Sequence, residues 1–402
     1  MQVAGMGREK HKKMTGRSAV INVETHFISH QGHIYAESLM DGMFWQKYRN
    51  VFDDIYVLVR IKPYEGENLN KWILSDYEGV HFLPLPDYRG PAGYIWNYTQ
   101  IGRCMKRYLC LYQKISCAVI RSPSPLGYQF LRYWKQTGKP YGMEITTNLS
   151  DSYYYSIDWL HSLLYQRLHL QTKKYAKKAK GVSYVTQNVL QEIYPASGIS
   201  ESYSSIDLPE ELFYQRPVLT GKKREYVMIH VSTLALDVKG NEEFLQVHKK
   251  LMLDGYCIRS VIVGGGRLLG HYRKRAQELG LSAYTRFTGH ISTKEDLMKE
   301  MRKADLFLFP TLSEGLPRTV IEAMANSLPC ISSDIPSLRE LLDEKWLCAP
   351  KDIDAFTEKA KMLIENIRLY NEAARRNYKT AGNYEYSILN ERRSRFYRML
   401  CE

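Results

Sequence analysis

Hydrophobic positions along this chain come in two alternating kinds. Short apolar runs read as buried strands, and longer stretches with apolar and polar positions intermixed read as helices. In the first half, strands are expected over 18–27, 54–61, 80–85, 117–121, 142–147 and 181–186, the last closing a sheet. Helices are expected over 34–50, 94–112, 126–136 and 157–178, with 29–33 as a loop. The alternation fails over 194–221, where Pro195, Pro209, Pro217 and several serines mark a linker. It then resumes. Strands are expected over 226–231, 258–263, 286–289, 305–309 and 329–333, helices over 241–253, 268–279, 294–302 and 317–326, and a helical tail over 354–402.

The pattern predicts an α/β fold of two doubly wound, Rossmann-like domains facing a cleft. The expected division is a basic leader at 1–17 without fixed structure, an N-terminal domain at 18–207, a linker at 208–225, a C-terminal domain at 226–380 and a terminal helix at 381–402. Ligands of open α/β sheets sit at the carboxyl ends of the strands, so the loops after the strands are where chemistry is sought.

Composition narrows the class. With 44% hydrophobic and 25% charged residues the chain is a folded protein rather than a disordered one. It has no apolar run long enough for a transmembrane helix, and the leader has no apolar core of a secretory signal. Seven scattered cysteines without a C-x-x-C pair read as reduced thiols in the cytoplasm. The net charge of +13 fits nucleic acid, an anionic membrane surface or a phosphorylated substrate as partner, and fits equally a solvated basic face with no partner. The cluster Lys173, Lys174, Lys177, Lys178 and Lys180, next to apolar residues 159–165, suits an anionic lipid surface; a helix packing its apolar side inward would look the same.

The most informative segment runs from Asp305 to Ala325. An apolar strand enters a short loop, and the loop enters a helix with Pro317 suited to its first position, N1. First-turn amides have no internal partner, and such a strand–loop–helix start can hold a phosphate. Glu314 and Glu322 lie eight positions apart, one in the loop and one on the helix. Taken alone, Glu314 would read as a solvated acid and Glu322 as a partner of Arg318. Together they are what a nucleotide-sugar site requires.

Segment 314–325 resembles the E-x(7)-E motif of retaining glycosyltransferases of the GT-B fold, glycosyltransferase family 4. The resemblance covers most of the second half and, more loosely, the first. It implies that Glu314 contacts the donor sugar's hydroxyls and Glu322 the ribose. The amides around Gly315, Leu316 and Pro317, with Thr319 on the helix, would then lie near the diphosphate. Lys239-Gly240, preceded by Val231-Ser232-Thr233, is similar to the family's lysine motif, in which the lysine binds the diphosphate. Ser232 and Thr233 stand where many relatives carry an arginine; either their hydroxyls and amides compensate, or the phosphate contact is weaker than usual. Gly264-Gly265-Gly266 resembles the family's glycine turn and is not a dinucleotide fingerprint. Gly289-His290-Ile291 matches the loop that packs on the base.

In the first half, Gln31-Gly32-His33 resembles the glycine loop that approaches the donor phosphates, with Gln31 where relatives often have a second glycine; His33 reads either as facing the cleft or as a loop histidine without a catalytic role. Arg121 stands where many relatives have a histidine. Its permanent charge excludes it as a base and leaves a sugar or acceptor contact. The resemblance implies a hexosyltransferase-type enzyme acting with retention, an acceptor on the first domain, and a terminal helix crossing back to that domain; no D-x-D pair is placed in a cleft loop, so neither a metal ion nor another cofactor is expected. Its bacterial members build surface or capsular polysaccharide. The expected partners are therefore a nucleotide-sugar donor, a glycan or lipid-linked glycan acceptor and an anionic membrane at the inner face, with no nucleic acid. Two other readings stay open: another GT-B enzyme such as a nucleotide-sugar epimerase, and a basic nucleic-acid binder, for which no recognised motif is present.

Overall fold

The computed structural model describes residues 16–37, 40–149 and 159–402. Residues 1–15 of the leader, and the expected helix start at 157, lie outside the described residues.

The first domain runs through β1 (Ser18–His30), β2 (His33–Ala36), α1 (Gly42–Arg49), β3 (Asp54–Pro63), β4 (Ile73–Leu74), β5 (Val80–Leu85), α2 (Gly90–Arg107), α3 (Leu109–Tyr112), β6 (Cys117–Ser122), α4 (Pro125–Trp134), β7 (Tyr141–Ile145), α5 (Trp159–Ala176), β8 (Gly181–Tyr184), α6 (Val189–Ile193) and β9 (Ile199–Ser202). Its parallel core is ordered β5-β3-β1-β6-β7-β8-β9, with β2 and β4 added antiparallel at one end of β1. Ile21, Val57 and Val119 are fully buried on this sheet. Helices cover both faces of such a sheet, which is why its strands read as nearly unbroken apolar runs.

The second domain follows as β10 (Tyr226–Val231), α7 (Asn241–Leu253), β11 (Ile258–Val263), α8 (Leu269–Glu278), β12 (Thr285–Gly289), α9 (Lys294–Lys303), β13 (Leu306–Phe309), α10 (Arg318–Ala325), β14 (Cys330–Ser333), α11 (Pro336–Arg339), β15 (Leu347–Cys348), α12 (Ile353–Glu365), α13 (Ile367–Ala381) and α14 (Tyr386–Cys401). Its sheet is parallel throughout, in the order β12-β11-β10-β13-β14-β15. The order reverses between β10 and β13, and in the first domain between β1 and β6. Crevices at these reversals are where doubly wound sheets bind ligands.

The terminal helix α14 crosses back onto the first domain. Gly142 of β7 and Gly181 of β8 lack side chains, and Phe396 and Leu400 fill that space. Tyr397 stacks on Tyr48 of α1 with ring centroids 5.3 Å apart. Among the described residues no helix is long and apolar enough to cross a membrane.

Three expectations change. Segment 29–36 is a β-hairpin, and the following helix is only Gly42–Arg49. Gln31 (φ 49°) and Gly32 (φ 84°) both adopt left-handed backbone, which is what a tight two-residue hairpin needs. The first sheet does not end at residue 186: β9, inside the stretch read as linker, pairs with β8. Its sequence, Ile199-Ser200-Glu201-Ser202, is that of a polar edge strand and carries little apolar signal. Finally, Pro317 caps α10 from outside (φ −73°, ψ 109°) and the helix begins at Arg318, not at Pro317.

Phe396 has no exposed surface. Phe396→Ala is expected to cost about 3–5 kcal/mol, the range for emptying a buried aromatic site. Denaturant unfolding followed by far-UV circular dichroism checks this; an unchanged midpoint would mean that α14 does not help hold the first domain.

Candidate active site

The site forms where the loops after β10 and β13 meet, at the reversal of the second sheet. Gly240 has φ 75°, and a side chain's first carbon there would overlap the carbonyl oxygen of Pro310. Only glycine lets these backbones close to this degree. The contact is fastened by the Leu312 amide, which donates to the Val238 carbonyl at 2.9 Å, and by the Thr311 hydroxyl, which donates to the same oxygen at 3.1 Å. The result is that Lys239 Nζ lies 2.6 Å from Glu314 Oε1 and 3.4 Å from the Ser313 carbonyl oxygen. Their side chains are 20% and 15% exposed, so the pair is open to a ligand but poorly screened by water.

The neighbouring loops extend this floor. Gly264, at the end of β11, packs against the Ser232 carbonyl with no room for a side chain, and its amide donates to Gly289 at 2.9 Å. The Ser232 hydroxyl donates to Asn241 Oδ1 at 3.2 Å, while the Thr233 hydroxyl accepts from the Ala235 amide at 3.3 Å. Both hydroxyls thus hold local backbone and helix start. His290 is exposed and Ile291 half-buried; an ideal Cβ at Gly265 would lie 3.3 Å from His290 Cβ, so the β11 and β12 loops touch.

Across the loop, Leu316 and Pro317 are buried and Thr319 is half-buried in the first turn of α10. Glu322 is 6% exposed. Burial pushes its carboxyl above the usual range, and Lys294 and Arg318 oppose that shift. Lys294 Nζ lies 3.7 Å from Glu322 Oε1, so the cation beside this acid is Lys294 rather than Arg318 alone. Among the described residues no group of three His, Cys, Asp or Glu is placed to hold a metal ion.

The first domain closes on this floor. A Cβ at Gly315 would overlap the Thr146 carbonyl just beyond β7, so the glutamate loop touches the opposite domain at a point where only glycine fits. Glu340, at the end of α11, accepts the amides of Gln187, Asn188 and Val189 at 2.7, 2.9 and 3.1 Å. One domain's carboxylate thereby caps the other domain's α6, a placement the helix dipole favours. Lys294 also donates to the Asp207 carbonyl, and Asp207 pairs with Lys47 at 2.6 Å.

The expected first-domain residues have other partners. Arg121 stacks on Phe44 at 4.8 Å and lies 3.7 Å from Glu144 Oε2. Glu144 also accepts the hydroxyls of Tyr48, Tyr203 and Tyr397 at 2.9, 2.9 and 2.5 Å. Arg121 therefore belongs to a buried polar network. Gly32 sits at the hairpin tip, and exposed His33 pairs with Asp76 at 3.0 Å. No hydrogen bond or ion pair joins either residue to Lys239, Glu314 or Glu322, and Gly32 opens no helix that could hold a phosphate.

Other residues at the first domain's reversal went unread in the sequence. The register of β1 against β3 slips between Asn22 and His26, an irregularity that re-aims side chains toward the carboxyl end of this central strand. Glu24 there accepts the Ser124 hydroxyl, and His26 Nδ1 lies 2.7 Å from Asp87 Oδ1. The signal was present as Glu24-Thr25-His26, a polar triplet inside an apolar strand.

Comparison with known proteins agrees with this architecture. Residues 214–380 match the family model described as "Glycosyl transferases group 1". The chain is 25% identical over 342 residues to Protein CapJ of Staphylococcus aureus, covering 85% of each. It is 24% identical over 249 residues to the O-antigen chain mannosyltransferase RfbU of Salmonella typhimurium, covering 61% of this chain and 67% of that protein. HepE of Anabaena, solved in complex with UDP and glucose, superposes with a TM-score of 0.68 at 13% identity, over 95% of this chain and 99% of that one. The chain has the GT-B fold, and the match to the group 1 glycosyltransferase model falls on its second domain.

The buried state of Glu322 carries a stability consequence. A carboxyl raised in the folded state is favoured while protonated, so its contribution is full below the unfolded value of about 4.3 and is lost as pH rises through the folded value. Glu322→Gln is therefore expected to match the parent's melting temperature near pH 4 and to equal or exceed it at neutral pH. Thermal melts across that range test this; a neutral-pH loss larger than the loss at pH 4 would contradict it.

Proposed function

We propose that this protein is a retaining glycosyltransferase of the family 4 type, moving a hexosyl unit from a nucleoside diphosphate sugar to an acceptor hydroxyl. The observation that carries this is the meeting of Lys239 and Glu314 at the sheet reversal, with Glu322 eight positions on and Gly315 against the opposite domain. In this reading Lys239 binds the diphosphate, Glu314 the sugar hydroxyls and Glu322 the ribose. The amides of Gly315 and Leu316 and the start of α10 face the diphosphate, and the loops at Ser232, Thr233, Gly264, His290 and Ile291 line the nucleotide. The charge of the diphosphate falls to Lys239 and these amides, without a metal ion.

Breaking the sugar–oxygen bond builds negative charge on the leaving diphosphate. A cation held nearby stabilises that charge, by on the order of 4 kcal/mol at 4 Å and an effective dielectric of 20. The acceptor attacks from the face the diphosphate leaves, and a leaving phosphate oxygen takes its proton. Positioning between the two domains then supplies most of the remaining acceleration and keeps water from the donor. The acceptor sits on the first domain, as a growing surface or capsular polysaccharide or a lipid-linked glycan; the name of RfbU, an O-antigen chain mannosyltransferase, favours this class. A lipid-linked acceptor would place the protein peripherally on the inner face of the membrane.

Melting-temperature shifts across a panel of UDP-, GDP- and ADP-sugars test the donor class, since a ligand of the folded state raises the midpoint. One nucleotide series is expected to stabilise the protein, and Lys239→Ala to lower turnover of that donor by roughly 100- to 1,000-fold, the scale of losing one charge-stabilising group. No shift with any donor, or turnover of Lys239→Ala within a few-fold of the parent, would refute the assignment.

A further inference from the structure

Charge is distributed unevenly within the first domain. Residues 88–143 contain nine Lys and Arg and no Asp or Glu, and residues 159–191 contain six and none, in a chain that carries 43 acids elsewhere. These two segments hold more positive charge than the whole chain's net +13. They supply α2, α4 and α5, which lie side by side in one layer. Gln129 of α4 donates to the Tyr98 carbonyl of α2 at 2.8 Å, and Tyr128 of α4 bonds Thr172 of α5 at 2.6 Å. On the outer side of this layer the cations are interleaved with large apolar groups. On α2, Trp96 is 90% exposed and Ile95 63%, with Arg103 and Arg107 on the same stripe. On α5, Leu163 and Leu170 are 53% and 60% exposed and flank Arg167, with Lys174 and Lys177 following at helical spacing. A shallow groove of about 480 Å³ runs along that stripe.

We propose that the outer face of α2, α4 and α5 seats the protein on an anionic phospholipid bilayer. This deepens the peripheral placement proposed above and rests on it. An indole almost wholly in water and half-exposed leucines cost free energy that contact with acyl chains recovers, while interleaved lysines and arginines meet lipid phosphates. A nucleic-acid backbone would match the cations but leave the two leucines and Ile95 in water. The absence of any acid across both segments removes the repulsion that an ordinary mixed-charge surface would meet at an anionic leaflet.

The test is co-sedimentation of the full chain with phosphatidylcholine vesicles, with and without phosphatidylglycerol. Binding is expected only with the anionic lipid, and is lost near 1 M salt, where the screening length is about 3 Å. The combined Arg103→Glu, Lys174→Glu and Lys177→Glu variant is expected to lower binding at least about tenfold, at roughly the weight each surface cation carries. Trp96→Ser, a milder exposed change, is expected to weaken binding and to remove the blue shift of indole emission on vesicle addition, with the parent's melting temperature kept. Equal binding to neutral vesicles, no binding at low salt, or unchanged binding by both variants would overturn the proposal. So would tighter binding to an oligonucleotide than to anionic vesicles, which would reassign the face. The measurement needs no donor or turnover, so its failure and that of the donor assignment are read separately.

Discussion

Everything at the site depends on how closely two backbones approach, at Gly240 and Pro310. Their contact sets the depth of Lys239 in the crevice and puts Glu314 within reach of its ammonium group. A side chain at residue 240 would push the β10 and β13 loops apart and separate the pair. The ion pair itself is secondary: pairs of this kind gain little net energy where water reaches them. Its significance lies in where it holds two charges. In the proposed reading, a diphosphate entering the crevice would compete with Glu314 for Lys239, and a sugar hydroxyl would take up the released carboxylate, so that one cation would couple the two acts of binding.

The same loop also carries the contact between domains. Gly315 abuts Thr146, Glu340 caps α6, and Lys294 bridges Glu322 to the Asp207 carbonyl. The acid assigned to the ribose is thus wired to the segment that joins the domains. Burial makes Glu322 costly to ionise, and Lys294 opposes that cost.

The fold was largely legible in the sequence because parallel strands buried on both faces leave unmistakable apolar runs; β10 and β11 fall at the expected residues, as do the partly exposed edge strand β5 and the helix α7. Legibility failed where local pattern and tertiary role diverge. Gln31-Gly32 reads equally as a phosphate loop or a hairpin turn, and only the antiparallel pairing of β2 decides. β9 is polar because it lies at an edge. At the site, Lys239, Glu314 and Glu322 stand out by spacing from a strand end. Lys294 and Glu340 do not, because each works through a partner more than 25 residues away in sequence. Arg121 was singled out by position alone, and its guanidinium is taken up by Glu144 and Phe44.

The central claim is that one nucleotide sugar is held by Lys239, Glu314 and Glu322 together. A crystal structure with an intact, slowly hydrolysed donor analogue tests it most directly. The account predicts a diphosphate oxygen within hydrogen-bond distance of Lys239 Nζ, sugar hydroxyls on Glu314 and ribose hydroxyls on Glu322. A donor bound outside the crevice between the domains, with the Lys239–Glu314 pair intact and Glu322 untouched, would contradict it.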